Sequence, residues 1–165
     1  MQTLTPEAVN VRCHALATPL QCALSDEQSV AALRRSGIPA EKLAAMVKLH
    51  CLRLNELLNL RNPLNTTTID TIADTVVTEY NSLNFADIRL VFKRGAEGYY
   101  SRDGEVLAVN LSIVMSWFRR YFDERCQESY NEHLREHEAM KAGWARMERS
   151  SKTTTLKEFI RRGKQ

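Results

Sequence analysis

Phe85-Ala86-Asp87-Ile88-Arg89-Leu90-Val91-Phe92 is the stretch on which the fold class turns. It is apolar but for Asp87 and Arg89, and a run this short suits a buried strand as well as a buried helix. Its surroundings favour helix. Asn84 can accept the orphan N–H groups of a first turn, and Asp87 then falls where a carboxylate meets the positive end of the helix dipole. Read this way, the chain is mainly α.

Upstream, Thr67 or Thr68 is expected to cap a helix running to about Tyr80, with Ile69, Ile72, Ala73, Val76 and Tyr80 on one face. Before it, Pro39-Ala40-Glu41 opens a longer helix. There Leu43, Met46, Val47, His50, Cys51, Leu54, Leu57 and Leu58 recur at the three- and four-residue intervals of one buried face, and Asn62-Pro63 ends the run. Thr5-Pro6-Glu7 reads as the opening of a short helix that stops before Pro19. Ser25-Asp26-Glu27 opens another, closed by Gly37.

Downstream, Gly95-Ala96-Glu97-Gly98 reads as a helix stop and a turn. In the following Tyr99–Ala108 stretch, Asp103-Gly104 sits between β-prone flanks, which predicts a small β-hairpin over about 99–108. Asn110 then caps a long helix with an apolar stripe of Leu111, Val114, Met115, Phe118 and Phe122. From Asp123 to Glu138 the sequence is charged almost throughout, and only Cys126, Tyr130 and Leu134 continue the seam there. A helix that is core-facing at first and polar afterwards is expected to project from the globule. Gly143 weakens it, and the Ser/Thr run 150–155 is expected to break it before a last amphipathic turn at Leu156, Phe159 and Ile160. The expected fold is therefore a compact helical bundle with one hairpin over residues 1–122, a projecting helix over 123–149 and a basic tail over 150–165.

Composition agrees with such a fold. The chain has 165 residues, 44% of them hydrophobic and 26% charged, with only 4 Pro and 6 Gly, so it is neither disordered nor rich in tight turns. Its longest uncharged stretch, 106–118, is too short to span a bilayer. No basic residue precedes an apolar run in residues 1–20, so no signal peptide is expected. Cys13, Cys22, Cys51 and Cys126 form no C-x-x-C pair and read as reduced thiols of a cytoplasmic protein. The net charge of +3 hides an asymmetry, because residues 141–165 carry 8 basic and 2 acidic groups and the rest of the chain is slightly acidic.

Few residues read as catalytic. His133-Leu134-Arg135-Glu136-His137 follows the H-x-x-E-H order of inverted zinc peptidases, and two His four apart on a helix can share a metal. Only Glu138, Glu148 and Glu158 follow as carboxylates, however, so neither a zinc site nor any other cofactor is expected. His50-Cys51 and Cys13-His14 are sequence neighbours pointing different ways on a helix, which gives no nucleophile–base pair. No enzyme is expected.

Two kinds of binding remain. Helix, turn, helix and hairpin is the order of a winged helix-turn-helix, with Lys93, Arg94 and Arg102 placed near a phosphate backbone. The tail residues Lys152, Lys157, Arg161, Arg162 and Lys164 would add affinity for DNA without reading sequence. The alternative is a helical protein–protein adaptor without nucleic-acid contact, anchored by Tyr130, Leu134, Trp144, Met147 and Phe159, with self-association through the C-terminal helix one form of it.

The run Leu83, Asp87, Ile88, Leu90, Phe92, Lys93, Gly95, Gly98, Tyr99, followed by Trp117, Phe118, Tyr121, Phe122 and Arg125, resembles a group of small uncharacterised proteins of phage-like and conjugative elements of gut bacteria. The resemblance covers roughly residues 66–130. It implies no reaction and carries no functional residues across, but genes of mobile elements often serve DNA replication or transfer. Together these readings give an expected role as a non-enzymatic accessory protein of a mobile element, holding DNA or a replication protein.

Overall fold

A computed structural model describes residues 16–104, 106 and 108–162, with side chains described as far as Met147. Among these residues there are six helices and no sheet. They are α1 (Pro19–Leu24), α2 (Val30–Arg35), α3 (Ala40–Leu58), α4 (Thr66–Glu79), α5 (Phe85–Ala96) and α6 (Leu111–Arg162). The chain divides into two units, Met1–Cys126 and Gln127–Gln165.

The deciding stretch is a helix. Asn84 Oδ1 accepts the Asp87 N–H at 2.9 Å while Asp87 Oδ2 accepts the Asn84 N–H at 3.0 Å, a reciprocal capping box. Eight of the twelve residues of α5 are buried, which makes it the central helix of the first unit. Helix α3 packs on both α4 and α5, and α1 packs on α5. Lys48 and Asp70 link α3 to α4 across 2.7 Å, and the Asn55 side-chain amide exchanges two 2.9 Å hydrogen bonds with the backbone of Leu64, which pins the connection between them.

Several helix starts differ from the sequence reading. Pro19 opens α1, a helix the sequence reading did not place, because Thr18 and Gln21 form a capping box around it. Ser29, not Ser25, caps α2, and Asn65, not a threonine, caps α4. Helix α3 ends at Leu58, five residues before Pro63, because the next residue, Asn59, takes a left-handed conformation at φ 44°. The helix expected from Thr5 lies outside the described residues.

The hairpin expected over 99–108 is not seen among the described residues: 99–104 form turns and bends, and 106 and 108 carry no regular structure. Gly104 does turn, at φ +73°, but the flank before it is already committed. The Tyr99 N–H donates to Arg94 O at 2.9 Å and the Gly98 N–H to Gly95 O at 3.1 Å, with Gly98 at φ +75°. This is the Schellman end of α5. A residue whose N–H closes a helix and whose neighbour Tyr100 is buried against Trp117 has nothing left to give a strand ladder.

The expected break at the Ser/Thr run is also absent, since α6 continues to Arg162. Ser and Thr cost a helix only about 0.5 kcal/mol each relative to Ala, far less than a proline does.

Candidate functional site

Three places in the structure gather chemistry-bearing residues. The first is buried. Asp87 has no solvent exposure, yet its carboxylate is surrounded by donors: Tyr121 Oη at 2.7 Å and Arg125 Nε at 3.0 Å on Oδ1, and the Asn84 N–H on Oδ2. Asn84 in turn donates to Cys22 O at 2.8 Å, tying α1 into the same network. Burial pushes the Asp87 carboxyl up, and the bonds from Tyr121, Asn84 and Arg125 pull it back. Burial and the neighbouring Asp87 push the Tyr121 hydroxyl well above its ordinary range. Asp87, Asn84 and Tyr121 are closed in by protein and only Arg125 is partly exposed, so the network joins α1, α5 and α6 and reads as structural.

Close by, Arg94 Nη1 contacts both carboxylate oxygens of Glu124 at 2.9 and 3.0 Å, and its guanidinium lies 4.7 Å from the centre of the Tyr99 ring. Arg94 is thus held between the end of α5 and α6.

The second place is a groove of about 660 Å³ between α3 and α5. His50, Arg53, Arg89 and Lys93 bring positive or titratable groups to it over a floor that includes Leu54 and Phe92, with Glu56 and Glu97 at its edges. The His50 ring stacks on Phe92 with centroids 5.5 Å apart and planes 13° from parallel. Burial lowers the His50 pKa to about 4, helped by the charges of Arg53 and Arg89. The folded chain therefore binds fewer protons than the unfolded one between pH 6.5 and about 4, and stability falls as pH drops through that window. The loss should be at most about 3 kcal/mol. Melting curves of the wild type and of His50→Phe between pH 7 and pH 4 measure it, and the variant should show the flatter pH dependence.

The third place is the second unit, the stretch of α6 from Gln127 onward. Its apolar side chains stand in solvent: Tyr130, Leu134, Met140, Trp144 at 68% and Met147 at 74% exposure. His133 and His137 share this stretch, and among the described residues no three His, Cys, Asp or Glu side chains are grouped to hold a metal.

Lys93 and Arg94 do not present one basic face. Lys93 lines the groove, 3.9 Å from Glu97, while Arg94 is engaged by Glu124. Arg102 is exposed in the loop after α5. The wing of the winged-helix reading is not seen among the described residues, and eight of the twelve residues of α5 are buried, Asp87 among them. The side chains of Lys152, Lys157, Phe159, Arg161, Arg162 and Lys164 lie outside the described residues. Cys22 and Cys51 are buried free thiols pushed up to about 11 and about 12, so neither is a thiolate at neutral pH.

Sequence reasoning missed the groove and the Asp87 network. Both join residues far apart along the chain, but Asp87 itself, a carboxylate inside an apolar run, was a visible signal. No helix among the described residues is long and apolar enough to cross a membrane. Comparison of the chain with protein-family models, with curated proteins and with solved structures finds no match.

Proposed function

We propose that the protein is a non-enzymatic accessory protein of the cytoplasm that captures a protein partner along the second half of α6. The observation that carries this reading is the row of exposed Tyr130, Leu134, Met140, Trp144 and Met147 side chains in the second unit. An isolated helix has little stability of its own in water, and large apolar side chains along it favour burial against another surface. A photo-crosslinking residue placed at position 144 should give a discrete protein adduct in cells. No adduct at 144 or at 147 contradicts the reading.

A second reading rests on charge. The 8 basic and 2 acidic groups of residues 141–165 suit a polyanion, and on the resemblance to mobile-element proteins that polyanion would be DNA undergoing replication or transfer. Affinity for duplex DNA should then fall with salt, log K dropping by about 0.9 per phosphate contact as log salt rises. Deleting residues 150–165 should remove most of the affinity. Fluorescence anisotropy at several salt concentrations measures both, and salt-independent binding, or none at low salt, eliminates this reading.

A further inference from the structure

The exposed row in α6 has a period that limits what can cover it. Counting Tyr130 as position a of a heptad, the a and d positions that follow are His133, His137, Met140, Trp144 and Met147, with Leu134 flanking them. A spacing of alternating three and four residues is the seam of a two-helix coiled coil, narrower than the face that packs on a globular core. The side chains of this seam are exposed in the single chain.

Charge along the same stretch selects the orientation. Residues 128–138 carry four acidic groups and one basic group, and residues 139–149 carry three basic and one acidic. A parallel partner of like sequence would lay acid on acid and base on base. An antiparallel one lays each block on its opposite.

We propose that a second copy of this chain covers the row, the two helices running antiparallel about a two-fold axis that passes between His137 and Met140. In this register every a position meets a d position. Tyr130 lies beside Met147 of the partner subunit, a favourable sulfur–aromatic contact, and Trp144 lies beside His133 of the partner subunit. Two-fold pairing makes each contact occur twice and closes the assembly at two chains. This inference rests on the docking role proposed above and names its partner.

Sedimentation equilibrium of the purified full chain tests it. The wild type should have the mass of two chains. Trp144→Glu should return it to one without shifting the melting of the first unit, because Trp144 belongs to the second unit and is exposed in the single chain. Charge provides an independent arm. A variant carrying Glu132→Lys, Glu136→Lys and Glu138→Lys, and a second carrying Lys141→Glu, Arg146→Glu and Arg149→Glu, should each be monomeric, and their equimolar mixture should dimerise.

Spin labels on cysteines at position 139 or 128, with Cys13 and Cys126 replaced by Ser, report direction. The two labels should be close at 139 and separated by about 30 Å along the axis at 128, from 21 residues of offset at 1.5 Å each. Short distances at both positions mean parallel helices and overturn the proposal. A monomeric wild type whose position 144 crosslinks to a different protein overturns the second copy but leaves the docking role standing. A monomer without any adduct overturns both.

Discussion

Trp117→Ala is expected to abolish soluble expression or to lower stability by about 3–5 kcal/mol, the usual cost of truncating a buried aromatic and a large share of the roughly 5–15 kcal/mol a domain possesses. The ring is 2% exposed, stacks on Tyr100 and covers Gly95. Gly95 sits inside α5 because nothing larger fits: a Cβ there would overlap the Trp117 ring. Helix propensity alone would favour alanine at this position by about 1 kcal/mol, so a destabilised Gly95→Ala isolates the contact. The two changes should be strongly non-additive, since shortening Trp117 removes what the new methyl strikes. Thermal melts of both single variants and the double variant measure the coupling, with Arg161→Ala as the control expected to leave stability unchanged. A Trp117→Ala protein that melts like the parent would place the ring in solvent.

Removing the Asp87 carboxylate is expected to be comparably severe. Asp87→Ala leaves Arg125, 18% exposed, without its partner, and strips Tyr121 and the Asn84 N–H of their acceptor. Breaking a buried ion pair by deleting one member costs about 3–5 kcal/mol, mostly for the charge left behind. Asp87→Ala combined with Arg125→Met should therefore be less damaged than the sum of the single changes. Urea denaturation of the four proteins closes the cycle. A coupling energy near zero would mean that the pair does not hold α5 to α6.

Asp87 also shows how much of the fold the residues announced. Asn84 and Asp87 three apart before an apolar run are a helix start, and the structure closes that box as the spacing requires. Of the periodic apolar positions, Leu43, Met46, Val47, Cys51 and Leu54 of α3 and Ile69, Ile72, Ala73 and Val76 of α4 are buried, whereas Leu57, in the last turn of α3, is 73% exposed. Local chemistry was less legible where two signals competed. Thr18-Pro19 reads either as an end or as a beginning, and only Gln21 three residues after Thr18 decides it. Asp103-Gly104 is a turn signal and forms a turn, but a hairpin also needs two free flanks. Tyr99 and Tyr100 were taken by the end of α5 and by Trp117, a tertiary demand that no local window contains.

The candidate site was legible in a different way. Tyr130, Leu134, Trp144 and Met147 stood out as sparse anchors in a charged stretch, and their side chains are exposed. The groove beside His50 was not legible, because Arg53 and Arg89 reach it from separate helices.

The docking role of α6 is tested most directly by walking a photo-crosslinking residue through positions 138–148 of the full chain in cells and reading adduct yield against position. The account expects high yield at 140, 144 and 147 and low yield at 138, 142 and 145, the pattern of one helix face held against a partner. Uniform yield around the helix, or no adduct at any position, would contradict it.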